Sequence, residues 1–256
     1  MAFNDALFAS GDSSIHRIDP RIRLASGVAV TVPVALLTAS QPAWLAFAFG
    51  LLLVKMARLD LIRVMQRLAV VNVFIAFLWV FLPFSQPGDV LWSLGPLHAS
   101  REGIDLALLI TVKSNAIVLA LMALLGSIPV QDLGPAMQRL KAPDKLCHIL
   151  LFTYRYIFVI HKEYMTMRQA MRARGFKPRT NRHTYQTYAW LVGMLLVRSW
   201  DRAERVRDAM RCRGFRGRFY SLARFETRTR DYGFLAACLL FTAFIIYLEF
   251  TSKGAL

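Results

Sequence analysis

Residues 170–176 read AMRARGF and residues 209–215 read AMRCRGF. Six of the seven positions agree, Ala173 standing against Cys212, and Arg168 and Arg207 extend the match upstream. An arginine side chain ends in a planar fork of N–H donors that grips a carboxylate with two parallel hydrogen bonds. Arg174 and Arg213 each stand three residues after a methionine, Met171 and Met210, that closes a helical apolar stripe. Each guanidinium therefore falls where a plain helix–helix contact would carry another leucine. Gly175 and Gly214 follow at the position that takes the left-handed conformation ending a helix. Phe176 and Phe215 come next, as the apolar residues that often fold back on such an end. A simpler reading is available, because a cation near a helix C-terminus is favoured by about 0.3–1 kcal/mol. That reading accounts for one copy more easily than for two. Two equivalent tips suit two equivalent acidic sockets, as on a pair of similar subunits.

Other chemistry is poorly served. No Gly-x-x-x-x-Gly-Lys-Ser/Thr phosphate loop occurs, so the chain is not expected to hydrolyse ATP or to act as an enzyme. His16, His98, His148, His161 and His183 never pair at ligand spacing, and Cys147, Cys212 and Cys238 form neither a zinc module nor a disulfide framework. His98 with Asp89 and Glu102 could attract a cation, although a solvated loop is the simpler reading, so no metal site is expected. No Ser-His-Asp or Cys-His constellation is present. Lys113 lies within an apolar run and is a functional candidate by default; the competing reading has it facing a polar patch with Ser114 and Asn115, or reaching for the membrane surface.

The tips need long helices, and the rest of the chain is membrane-like. It is 56% hydrophobic and only 19% charged, with mean hydropathy +0.41 and a formal net charge of +16. The charge is uneven: residues 129–230 carry 22 Lys+Arg against 7 Asp+Glu, and the remainder 10 against 9. Apolar runs cover residues 24–40, 43–57, 68–84, 104–128 and 232–250, with a break at Ser40-Gln41-Pro42 and a loop over 85–103 marked by Pro87, Gly88, Gly95 and Pro96. Lys and Arg cluster at alternate ends. Arg17, Arg21 and Arg23 precede the first run, Lys55, Arg58, Arg63 and Arg67 lie between the second and third, Arg139, Lys141 and Lys145 follow the fourth, and Arg224, Arg228 and Arg230 precede the last. The outer segments carry little more than Arg101 and Lys253. This predicts an all-α integral membrane protein with about five spans and a cytoplasmic N-terminus. Residues 1–12 show no cleavable signal, so anchoring is expected from the internal spans.

Two weaker runs, 146–160 and 188–197, would export the seven cations of 161–187 if both crossed. They read instead as the apolar halves of long amphipathic helices. Leu146, Leu150, Thr153, Ile157, Ile160, Tyr164, Met167 and Met171 recur at 4-3 spacing, and so do Val192, Leu196, Ser199, Ala203, Val206 and Met210. The stripes could pack on each other, cross, or lie on the membrane body. The expected organisation is a four-span region over 1–128, a cytoplasmic region over 129–231 bearing both tips, and a last span over 232–256.

The paired tips resemble the Ala-Arg-Gly signatures of the T components of energy-coupling factor (ECF) transporters. His16-Arg17-Ile18-Asp19-Pro20-Arg21 resembles that family's entry to its first span, residues 153–159 (TYRYIFV) resemble a segment of its cobalt branch, CbiQ, and Leu124-Leu125-Gly126-Ser127-Ile128-Pro129, with Ala136, Met137 and Pro143 beyond, also fits. The likeness covers nearly the whole chain; Cys212 departs from the usual alanine but is small enough for the same space. The resemblance implies a non-catalytic coupling subunit of a cobalt or nickel uptake transporter in the bacterial inner membrane. Ala173, Arg174 and Gly175 would form one tip and Cys212, Arg213 and Gly214 the other, each seated in one of two cytoplasmic ATPase subunits that bind ATP-Mg. Met171, Arg172, Phe176, Met210, Arg211 and Phe215 would support them. A separate membrane subunit, with or without a small accessory one, would capture the substrate, and this chain would bind no cofactor and no nucleic acid. The alternatives are a T component for another micronutrient, or a basic membrane protein holding anionic lipid or nucleic acid.

Overall fold

The computed structural model describes residues 13–85, 89–94, 97–215 and 227–254, with the backbone alone for 90–94, 97–99, 253 and 254. Pro87, Gly88, Gly95, Pro96, Arg216, Gly217, Arg218, Arg224 and residues 1–12 lie outside the described residues, as does the His98 side chain. The chain divides into two compact units, one of Met1–Ala136 with Arg224–Leu256 and one of Met137–Ala223.

The first unit is a helical bundle built around α4 (Arg101–Leu124). Against it pack α1 (Pro20–Leu36), α2 (Ser40–Ala57) and α3 (Leu61–Ser85), while α8 (Thr229–Gly254) lies on α1 and α2. The α2 face is a run of small residues at helical spacing, Ala43, Ala46, Gly50, Leu53 and Ala57, all buried. Such a stripe lets backbones approach closely where water supplies no drive for helix association. It meets Val112, Ala116, Leu119, Ala120 and Ala123 of α4 in one core. Phe49 of α2 stacks on Phe241 of α8 with centroids 3.8 Å apart. By contrast α3 exposes Val70, Val73, Phe74, Phe77 and Phe81, an apolar face suited to lipid.

Several polar groups inside the bundle are paired across helices. Asn72 of α3 and Asn115 of α4 exchange amide hydrogen bonds of 3.1 and 3.0 Å, and Asn115 also donates to the Thr111 carbonyl at 2.8 Å. At the α1–α2 turn, Glu249 of α8 accepts from the Thr38 and Ala39 amides at 2.9 and 3.2 Å and from the Thr38 hydroxyl. Lys113 donates its Nζ to the Leu37 carbonyl there, at 2.6 Å. Lys113 thus fastens a turn whose backbone acceptors the bilayer cannot satisfy; Ser114 and Asn115 are not its partners among the described hydrogen bonds.

The all-α membrane architecture agrees with the sequence reading, and the structure refines three of its details. Among the described residues four helices, α2, α3, α4 and α8, are long and apolar enough by length and composition to cross a membrane. The expected first span, 24–40, ends at Leu36 in a helix of 17 residues that begins on Arg21 and Arg23. It rises about 25 Å against a hydrocarbon core of about 30 Å. Pro42 does not break the chain either: it sits in the first turn of α2, where a missing N–H costs nothing. The loop over 85–103 holds an antiparallel hairpin, β1 (Val90–Leu94) with β2 (Leu97–Ser100). Helix α4 then starts at Arg101, because the Ser100 hydroxyl accepts the Gly103 amide at 3.2 Å.

The second unit holds α6 (Asp144–Ala173) and α7 (Arg182–Cys212), reached through α5 (Val130–Arg139). The expected amphipathic halves 146–160 and 188–197 lie inside these unbroken helices of 30 and 31 residues.

Candidate functional site

The site grows from the two helix ends. Helix α6 stops at Ala173, and Arg174 is its cap residue with φ −84° and ψ 13°. Gly175 then turns left-handed at φ +78°. The Gly175 amide donates to the Arg172 carbonyl at 2.9 Å and the Phe176 amide to the Met171 carbonyl at 3.1 Å. These two bonds are the Schellman ending, which occupies carbonyls the helix leaves open. Helix α7 repeats it. Arg213 caps at φ −85° and ψ 9°, Gly214 lies at φ +75°, and the Gly214 and Phe215 amides reach Arg211 and Met210 at 3.0 and 3.1 Å. Each arginine stands one position beyond the last helical residue rather than within the last turn, because the left-handed glycine ends the helix earlier than the stripe alone suggests.

The repeated sequence is thus a repeated backbone. A Cβ built on either glycine would meet nothing within 4 Å, so sign of φ and not crowding demands glycine. The two guanidinium groups share a second property. Arg174 and Arg213 are exposed, and among the described residues neither side chain is held in a hydrogen bond or ion pair. Arg172, Arg211, Ala173 and Cys212 are exposed beside them. Phe176 is half-buried, its ring 6.2 Å from His183 and 5.9 Å from Tyr188, which ties the first tip to the start of α7. Asn181 caps that start by accepting the Thr184 amide at 2.9 Å. Phe215 is half-buried at the second tip.

Behind the tips the two stripes face each other over part of their length. Thr153, Ile157 and Ile160 of one and Ser199, Ala203, Val206 and Met210 of the other line a largely apolar cavity of about 440 Å³. Other stripe residues are open: Leu146, Val192 and Leu196 are more than half exposed. At the crossing Glu163 binds both Arg198 and, at 3.6 Å, Arg202. Sequence reasoning missed this clasp, although one signal was present. Glu163 is the one acidic residue between Lys145 and Trp200, in a stretch that otherwise carries only cations among its charged residues. The supposed cation site at His98, Asp89 and Glu102 cannot be assembled from described atoms, and among the described residues no cluster of His, Cys, Asp or Glu is arranged to hold a metal ion.

Apolar spanning helices, a two-helix amphipathic unit and duplicated Arg-Gly ends together define a multi-pass all-α membrane protein. The family described as CbiQ, cobalt transport protein, matches residues 11–222. The chain belongs to that family, as its tips, its Asp-Pro-Arg entry and its 153–159 segment led us to expect. Among curated relatives, an uncharacterised protein of Methanocaldococcus jannaschii is 29% identical over 153 residues, covering 60% of this chain and 56% of the relative. The cobalt transport protein CbiQ of Rhodobacter capsulatus is 29% identical over 130 residues, 50% and 53% of the two chains. The matched stretch thus spans about half the length of these two relatives. The energy-coupling factor transporter transmembrane protein EcfT of Listeria innocua is 26% identical over 252 residues, 93% of each chain.

Proposed function

We propose that this chain is the transmembrane coupling subunit of an ATP-driven uptake transporter for cobalt or nickel in a bacterial inner membrane. Residues 1–128 and 232–256 form its membrane part, and residues 129–231 face the cytoplasm with the N-terminus. Each tip, Ala173-Arg174-Gly175 and Cys212-Arg213-Gly214, seats in one of two ATPase subunits that bind ATP-Mg. A separate membrane subunit captures the metal ion, and this chain makes and breaks no covalent bond.

The observation that carries the reading is the pair of exposed guanidinium groups on matching helix ends, neither with a partner among the described residues. A fork of this kind left without an internal partner is available for a carboxylate on another protein. The left-handed glycine fixes where each helix stops, so the fork leaves a rigid end rather than a floppy loop. Helices of 30 and 31 residues are about 45 Å long by their rise per residue. Joined mainly at the Glu163 clasp, they act as levers: closing of the ATPases moves the tips, and the far ends move in turn. Met171, Arg172, Phe176, Met210, Arg211 and Phe215 keep the ends in shape.

Co-purification from the native membrane tests the proposal. The expected result is recovery of two ATPase subunits and a further membrane protein, with ATP hydrolysis stimulated by Co²⁺ or Ni²⁺. Recovery of nucleic acid or anionic lipid alone, released steeply by salt, would overturn it.

A further inference from the structure

Arg23 opens α1 and is only 3% exposed. Its Nη1 donates to the Ser127 carbonyl at 3.2 Å and to the Ser127 hydroxyl at 2.9 Å, across 104 residues of sequence. Ser127 is 1% exposed, and its hydroxyl donates in turn to the Ala123 carbonyl at 2.9 Å, in the last turn of α4. The guanidinium is therefore threaded onto the corner where α4 ends. Gly27, one turn after Arg23, lies against the same corner: a Cβ there would stand 2.2 Å from Leu125 Cδ1. The charges of Asp132 and Asp19 both act on Arg23, Asp132 the more strongly. Asp132 sits in the first turn of α5.

Apolar side chains would fasten α1 to α4 without the desolvation cost that a buried charge carries. What a guanidinium adds is direction, because its Nη1 reaches both the carbonyl and the hydroxyl of Ser127 in one arrangement of the corner and not in neighbouring ones. The corner also has a special place in the chain. Helix α5 begins in the first unit and its last residues, Met137–Arg139, belong to the second. Ser127 and Asp132 thus stand where the chain leaves the membrane body for the two-helix unit.

We propose that Arg23 is a positioning residue of the transport cycle: with Ser127 it fixes the α4–α5 corner, so that motion imposed at the tips is passed into the membrane body instead of being absorbed at the corner. The proposal rests on the coupling function inferred above.

The test uses the whole transporter, purified with its ATPases and capture subunit and reconstituted in vesicles, with Co²⁺ as the probe. Arg23→Gln removes the charge and the fork. Ser127→Ala removes one acceptor while keeping the backbone carbonyl, and serves if Arg23→Gln fails to assemble. ATPase recovery is expected to stay at the unsubstituted level. Ions moved per ATP hydrolysed should fall by about two- to thirtyfold for Arg23→Gln, the range single residues command in coupled systems, and by a smaller factor for Ser127→Ala. A merely structural residue would lower recovery, hydrolysis and uptake together and leave their ratio alone. That outcome, or an unchanged ratio in Ser127→Ala when Arg23→Gln cannot be assembled, overturns the proposal. Loss of ATPases from the unsubstituted complex would instead refute the coupling function itself.

Discussion

Arg23 and Arg174 are the same residue used in opposite ways. Arg23 lies in the helical bundle, 3% exposed, with its Nη1 turned inward to Ser127. Arg174 caps a helix of the second unit, exposed and without a partner among the described residues, and Arg213 repeats it. The bundle treats other polar groups in the same way: Asn72 with Asn115, Lys113 with the Leu37 carbonyl, and Glu249 with the Thr38 and Ala39 amides close on each other. A polar group in a bilayer must find its partner inside the protein. A polar group exposed at a fixed helix end is open to a partner on another molecule, which is the role proposed for both tips. The contrast separates residues that hold the molecule together from residues that address other molecules.

The largest effect is expected at the tips. Arg174→Glu and Arg213→Glu should each weaken ATPase association by about 2–5 kcal/mol, as truncation of a buried interfacial charge pair does. Pull-down titration measures this, and Arg→Lys at either tip should fall between, since an ammonium lacks the planar fork. Equal loss from Arg179→Glu would erase the distinction between tip and general positive charge. Next comes the backbone of the tip. Gly175→Ala and Gly214→Ala place a Cβ in the left-handed region at a cost of about 1–2 kcal/mol, read as a weaker ATPase affinity of roughly tenfold with the helical content unchanged by circular dichroism.

A smaller change is expected in the bundle. Asn115→Leu removes the amide pair between α3 and α4 and should destabilise the membrane body by about 0.6 kcal/mol, and by no more than about 2, as interhelical hydrogen bonds in bilayers do. Thermal unfolding in detergent reads it, and ATPase association should not change. The smallest effect is expected from Arg179→Glu, within about 0.5 kcal/mol in the same pull-down, as for a surface substitution away from any special feature.

Much of this was legible in the sequence, for definite reasons. Period-3.6 patterning with 4-3 spacing exposed both long helices, and Arg-Gly-Phe marked their ends to within one residue. The exposure of Arg174 and Arg213, with no partner among the described residues, was not legible, because pairing depends on which acids lie near in space. Nor was the Arg23–Ser127 pin: 104 residues separate its members, and an arginine at the foot of a span reads first as a charge facing the cytoplasm. Lys113 looked like a candidate for function because its acceptor, a carbonyl exposed at a helix end, carries no signature in side-chain types. The hairpin in 85–103 was hidden by the prolines and glycines that punctuate it. The family resemblance, drawn from a handful of short motifs, held because those motifs are spread along nearly the whole chain.

Cys212 offers the most direct measurement. It is exposed and adjoins Arg213, whereas Cys147 and Cys238 are buried, and burial, with Asp144 nearby, pushes the Cys147 thiol up and away from reaction. A maleimide therefore reads the second tip in the unaltered protein, and Ala173→Cys reads the first. The account predicts rapid labelling of both positions in the chain alone and strong protection of both once the two ATPase subunits are bound. Equal labelling with and without the ATPases, in a complex shown to be assembled, would contradict it.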